Sequence, residues 1–120
     1  RPPPDTTPSV IHKIRELHKD LYSIGEKLPK RNKLGVHAMV EKYCLELLAL
    51  TIIAAFSRGV EKISALKEAR VRTHIIAHLL RTEHDLGILT ADKYLRLSAQ
   101  LVEIGKMLSG WIVSQTHKEP

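Results

Sequence analysis

Two stretches of this chain carry apolar residues at alternating intervals of three and four. Val10, Ile14, Leu17, Leu21, Ile24 and Leu28 are spaced 4-3-4-3-4, and Tyr94, Leu97, Leu101, Ile104, Leu108 and Trp111 are spaced 3-4-3-4-3. This near-heptad period lays apolar side chains in one seam along an α-helix, and such a seam needs other helices to cover it. No segment alternates with period two, so no strand is expected.

The punctuation between seams divides the chain into four helices. Thr7-Pro8 offers a capping hydroxyl followed by a proline at the first turn, which starts a helix over 8–28, and Pro29 ends it. A second helix is expected over 33–58, with Gly59 as its stop, and a third over 61–86, with Gly87 as its stop. The third would turn Ile63, Leu66, Thr73, Ile76 and Leu80 inward. Thr90 caps a fourth over 91–115, with Asp92 well placed in its first turn. Long seams and short connections predict an all-α, antiparallel up-down four-helix bundle over 8–116, and residues 1–7 read as a disordered proline-rich tail.

The second helix departs from the amphipathic rule. From Tyr43 to Phe56 only Glu46 and Thr51 are polar. Tyr43, Leu47, Leu50 and Ala54 fall on one side, and Leu45, Ala49, Ile52 and Phe56 on nearly the opposite side. A helix facing one core is polar on its outer face. Either this helix is the most buried member of the bundle, or its outer face meets a second apolar partner. A homo-oligomer is the simplest such partner, with Leu45, Ala49, Ile52 and Phe56 at the interface.

The chain has 120 residues, enough for one domain, and a formal net charge of +6. The basic balance favours acidic partners such as phosphate backbones or anionic surfaces. Aromatics are only 4%, so base-stacking platforms are excluded and any nucleic-acid contact runs through charge. Lys67, Arg70, His74, His78 and Arg81 are spaced 3-4-4-3, one stripe along the third helix. At 1.5 Å per residue the stripe is roughly 20 Å long. Glu61, Glu68, Glu83 and Asp85 are expected on the other flank, where Glu68 can pair with Arg72. An aligned row of cations calls for an anion: nucleic acid, an acidic partner, or a carboxylate of another subunit. A solvated face without a ligand is the alternative. Lys30, Arg31 and Lys33 form a second cluster beside the N-terminus of the second helix, an end that attracts phosphate.

Two glycines interrupt the last helix in Glu103-Ile104-Gly105-Lys106-Met107-Leu108-Ser109-Gly110-Trp111. Each costs about 1 kcal/mol relative to alanine. Taken alone, the notch left by Gly105 and Ser109 reads as a tight helix–helix contact in the core, with Trp111 as an apolar anchor one turn on.

Catalytic sets are missing. Cys44 is alone, which excludes an intrachain disulfide, fits a reducing compartment such as the cytoplasm, and reads as a small buried hydrophobe. The proline-rich start does not read as a secretion signal, and the longest uncharged run, 47–57, is too short to cross a bilayer. No Glu-x-x-His pair or phosphate-cradling glycine loop occurs. His74 and His78 could share a metal but lack an evident third ligand, so no metal or cofactor is expected and the chain does not read as an enzyme.

The chain resembles the Avd family, the accessory variability determinants of diversity-generating retroelements. It is also similar to the bacterial four-helix-bundle proteins encoded in ribosomal RNA intervening sequences. The resemblance covers about residues 15–115. It rests on Leu28-Pro29-Lys30-Arg31, on Arg81 followed by Asp85-Leu86-Gly87-Ile88-Leu89-Thr90, and above all on Glu103-Ile104-Gly105-Lys106-Met107-Leu108 with Trp111. It implies a barrel-like homopentamer with a basic exterior that binds the element's reverse transcriptase and nucleic acid, RNA or DNA, as a non-catalytic accessory to mutagenic copying. It makes Lys30, Arg31, Arg81 and Lys106 the candidate basic contacts. The family often has a second arginine one turn before Arg81, where this chain has Ala77 beside His78. Other readings are an interaction protein of the intervening-sequence group with a different partner, and a metal- or ligand-binding helical bundle.

Overall fold

The computed structural model describes residues 8–118. They form α1 (Ser9–Glu26), α2 (Lys30–Leu34), α3 (Val36–Phe56), α4 (Gly59–Asp85) and α5 (Ala91–Lys118), with no strand among them. Four are long and one, α2, is a single short turn of helix beside the start of α3. The proline-rich segment 1–7 and the Thr7 hydroxyl lie outside the described residues.

Cross-helix contacts fix the topology. Cys44 lies beside Ile14 and His37 beside Leu21, so α1 and α3 run antiparallel. Arg72 meets Glu46 and Glu83 meets His37, so α3 and α4 do too. His84 stacks on Tyr94, and Lys62 lies over the Trp111 ring, which reverses α5 against α4. Lys13 meets Glu103 at 3.3 Å and the Gln100 amide donates to Asp20 at 2.9 Å, closing α5 onto α1. The result is an antiparallel four-helix bundle.

The seams pack as their period requires. Val10, Ile14, Leu17, Leu21 and Ile24 of α1 are buried, as are Leu97, Leu101, Ile104 and Leu108 of α5. Leu66, Thr73, Ile76 and Leu80 of α4 are buried, whereas Ile63 is only half-buried. On α3 the buried line is His37, Val40, Cys44, Leu47, Thr51 and Ala54, one position round from the face expected from the sequence. Tyr43 and Leu50 flank that line, half-buried. Burial pushes the Cys44 thiol up to about 12, with the Glu41 charge adding to the effect, so it stays a thiol.

The turns explain where the helix ends fall. α4 closes in a Schellman motif: Gly87 takes φ 76°, its N–H bonds the His84 carbonyl at 3.0 Å, and the Ile88 N–H bonds the Glu83 carbonyl at 2.8 Å. Thr90 caps α5, its Oγ1 accepting from the Lys93 N–H at 3.3 Å. One expectation fails here. The second helix does not run unbroken from Lys33, because Gly35 breaks the path and α3 starts at Val36. A Cβ at Gly35 would lie 2.7 Å from the Arg31 carbonyl oxygen, so the sharp α2–α3 corner needs glycine there.

One polar cluster is set into the aliphatic core. His37 Nδ1 lies 2.7 Å from Glu83 Oε2 and its Nε2 lies 2.7 Å from the Leu21 carbonyl oxygen. Glu41 Oε2 is 3.5 Å from the same Nε2. Both ring nitrogens therefore face oxygen acceptors, a geometry that the doubly protonated imidazolium satisfies. Burial alone would lower its pKa, but the Glu83 hydrogen bond, the Leu21 carbonyl and the charges of Glu83 and Glu41 outweigh it and raise the pKa above 6.5. Glu83 was expected on the solvent flank of its helix; it is fully buried instead, and its Oε1 has no hydrogen-bond partner. Gly25 makes room for the ring, since a Cβ there would sit 2.9 Å from His37 Cδ2.

A raised folded-state pKa contributes stability that is complete below the unfolded value of 6.5 and lost as pH rises through the folded value. The urea midpoint of the wild type is therefore expected to fall as pH is raised through that range, more than in a His37→Leu/Glu83→Leu double variant. Parallel pH profiles would count against the pair. Glu83→Leu alone strands a buried cation and is expected to cost about 3–5 kcal/mol, more than the double change.

Candidate partner-binding surface

Helical period and tertiary rotation sort the cations of α4 into three settings. Lys67 is exposed beside Val60 and Ile63 in a shallow trough. Arg70 and His74 lie one turn apart on the rim of a groove between α4 and α5. His78 and Arg81 continue toward the end of α4, both exposed. Among the described residues, Lys67, Arg70, His74 and His78 make no ion pair, whereas Arg81 Nε meets Asp85 Oδ1 at 3.1 Å. Asp85 thus belongs to the stripe rather than to the opposite flank, and it partly neutralises the Arg81 end. The expected Glu68–Arg72 pair is present at 2.8 Å, and Arg72 also reaches Glu46 on α3 at 3.1 Å.

Lys30, Arg31 and Lys33 sit on α2 and are all exposed. The His37–Glu83 contact brings the start of α3 beside the end of α4, so the α2 cluster and Arg81 share one end of the bundle. Lys67 lies toward the other end, where α3 turns into α4. No single pocket gathers all these cations; they line one long side and one end.

The outer face of α3 is bare. Leu45, Ala49, Ile52 and Phe56 are all exposed, Phe56 at 89%. Ile53 on the same helix is also exposed, and Val60, at 83% exposure, stands at the start of α4 beside Ile63 and Lys67. Val60 escaped the sequence reading because it lies beyond a helix stop. This exposure counts against the alternative that α3 is simply the most buried member of the bundle.

The notch of α5 also proves different from its expected role. A Cβ on Gly105 would meet only Thr73 Oγ1, at 3.9 Å, and one on Gly110 would meet nothing within 4 Å. Neither glycine serves a tight helix contact. Gly105 and Ser109 instead form part of the open α4–α5 groove, whose volume is about 580 Å³ and whose outer lip carries Lys106. Trp111 packs at the core margin under Lys62, outside the groove. No cluster of three or more His, Cys, Asp or Glu side chains among the described residues is placed to hold a metal, and no described helix is long and apolar enough to cross a membrane.

The profile of a family described as bAvd-like matches residues 9–115. The chain belongs to the bAvd-like family. No curated protein matches it in sequence. In fold, this bAvd-like protein is similar to a crystal structure from Bacteroides thetaiotaomicron, a protein of unknown function from the S23 ribosomal protein family. The two superpose with a TM-score of 0.79 at 17% identity, over 87% of this chain and 95% of the other. At that identity the likeness carries the fold and nothing finer.

Because a methyl group fits at both positions, Gly105→Ala and Gly110→Ala are each expected to stabilise the bAvd-like protomer by about 0.5–1 kcal/mol in urea denaturation. A loss of stability in Gly105→Ala would mean that the groove is closed in solution.

Proposed function

We propose that this bAvd-like chain is a non-catalytic accessory protein of a diversity-generating retroelement, acting in the cytoplasm. It binds the element's reverse transcriptase together with template RNA or the cDNA copied from it, and supports mutagenic copying. The observation that carries this reading is the row of cations without carboxylate partners, from Lys67 to His78, on a bundle of this family. Such a row holds phosphates without reading bases, which suits an accessory that positions a template. Lys30, Arg31 and Lys33 extend it around one end, with Arg81 and Lys106 as further contacts.

Self-assembly belongs to the same reading. The apolar outer face of α3 is the interface, with Leu45, Ala49, Ile52 and Phe56 at its centre, and the family resemblance implies a barrel-like homopentamer. A ring multiplies the cations offered to one nucleic acid, and multivalent contacts strengthen binding without any new interaction.

Co-purification with the neighbouring reverse transcriptase, followed by cDNA synthesis with and without this protein, tests the proposal. Retention of the polymerase and accessory-dependent cDNA are expected; polymerase and RNA both lost in the wash would favour an interaction protein with another partner, as in the intervening-sequence group. Lys30→Glu/Arg31→Glu/Lys67→Glu is expected to weaken binding to template RNA by about tenfold or more and to flatten its salt dependence, while circular dichroism stays unchanged. Binding equal to wild type would remove these cations from the contact. Ile52→Asp/Phe56→Asp alters only exposed side chains and is expected to leave a folded monomer in sedimentation; an unaltered profile would place the interface elsewhere.

A further inference from the structure

The α4–α5 groove holds a glycine that the protomer does not need. Gly105 lies inside a long helix, where it costs about 1 kcal/mol relative to alanine. Nothing packs against it closely enough to exclude a methyl group, since the first atom its Cβ would meet is Thr73 Oγ1 at 3.9 Å. The benefit of glycine at this position therefore lies outside the protomer.

The shape of the groove says what lies there. Ser98, Val102, Gly105 and Ser109 recur once per turn of α5 and all line it. They mark a trough about 16 Å long, parallel to the helix axes. Arg70, His74 and Ala77 follow the facing turns of α4. Small side chains on one wall let a third helix come close, ridge into groove. Val102 and Ala77, both exposed, offer apolar surface above the buried Leu101, which a phosphate backbone would not use and the ridge of an amphipathic helix would. Arg70 and His74 on one rim and Lys106 on the other are unpaired among the described residues, and no carboxylate lines the groove. The exposed face of α3 from a second copy does not complement this charge, because its Glu46 is already held by Arg72.

We infer that the α4–α5 groove seats one amphipathic helix of a partner protein, with its apolar ridge over Val102 and Gly105 and its acidic side chains against Arg70, His74 and Lys106. The inference rests on the proposed function and supplies its protein-binding half: it reassigns Arg70, His74 and Lys106 from phosphate to partner carboxylates and leaves Lys67, His78, Arg81 and the α2 cluster for nucleic acid. The groove can be tested without the polymerase.

The first probe is a labelled synthetic peptide of three heptads with Leu at a and d and Glu at e and g, set beside the same peptide with Lys for Glu. The Glu peptide is expected to bind the full chain, and the Lys peptide to bind at least tenfold more weakly. Gly105→Leu, which fills the trough where space is open, is expected to weaken the Glu peptide tenfold or more, with helical content and template RNA affinity unchanged. Should Gly105→Leu disturb folding, Lys106→Glu changes only an exposed side chain and is expected to narrow the preference for the Glu peptide. A Glu peptide that fails to bind, or that binds wild type and both variants equally, overturns the inference. So does a Gly105→Leu chain that loses RNA and keeps the peptide, because the groove would then belong to nucleic acid. The second probe is the reverse transcriptase. If the wild type holds the peptide but not the polymerase, the proposed function fails and the groove stands. If the wild type holds the polymerase and Gly105→Leu holds it equally while losing the peptide, the groove serves another protein than the polymerase.

Discussion

The contact of His37 with Glu83 and the Leu21 carbonyl ties three helices together at one end of an otherwise aliphatic core. Aliphatic seams can slide by a heptad with little change in buried area, whereas a buried charge pair tolerates one register only. With both ring nitrogens bonded at 2.7 Å, α1, α3 and α4 are held at fixed height relative to one another. The Glu83 carbonyl also accepts from Ile88 in the Gly87 turn that ends α4, so the buried pair lies directly beside the point where the chain reverses into α5. The rest of the surface follows from this register.

Three surfaces result, two of which share Arg70 and His74. The outside of α3 is apolar and has no partner within the protomer. One long side of α4 and the α2 end carry cations, and among the described residues Arg81 is neutralised by Asp85 while Lys67, Arg70, His74 and His78 have no ion-pair partner. Between α4 and α5 lies a groove with an unexplained glycine. A chain of this size with one compact core has little use for all three on its own. Together they are the surfaces on which the proposed binding function rests, on a chain whose residues 9–115 match the bAvd-like family.

Much of the bundle was legible in the residues. The 3-4 periods of α1 and α5, the Gly87 stop and the Thr90 cap each state a local rule that the tertiary structure obeys. The outer face of α3 was also legible, because a helix that is apolar all round leaves one side uncovered. The buried pair was missed although a signal for it was there. His37 continues the series Val40, Cys44, Leu47, Thr51 and Ala54 backward, and Glu83 continues Leu66, Ala69, Thr73, Ile76 and Leu80 forward, each at the 3-4 spacing of its seam. A charged residue in phase with a buried seam reads as a flank residue unless its partner on another helix is identified.

The order and approximate extent of the four long helices, the seams of α1 and α5 and the excess of positive charge were set by local sequence, because capping, periodicity and charge are properties of one helix at a time. Whether Glu83 meets solvent or His37, and whether Gly105 is a packing notch or the wall of an open groove, were decided only by assembly. Those outcomes depend on the rotation and separation of neighbouring helices, and the period of a single helix leaves both undetermined to within the width of one side chain.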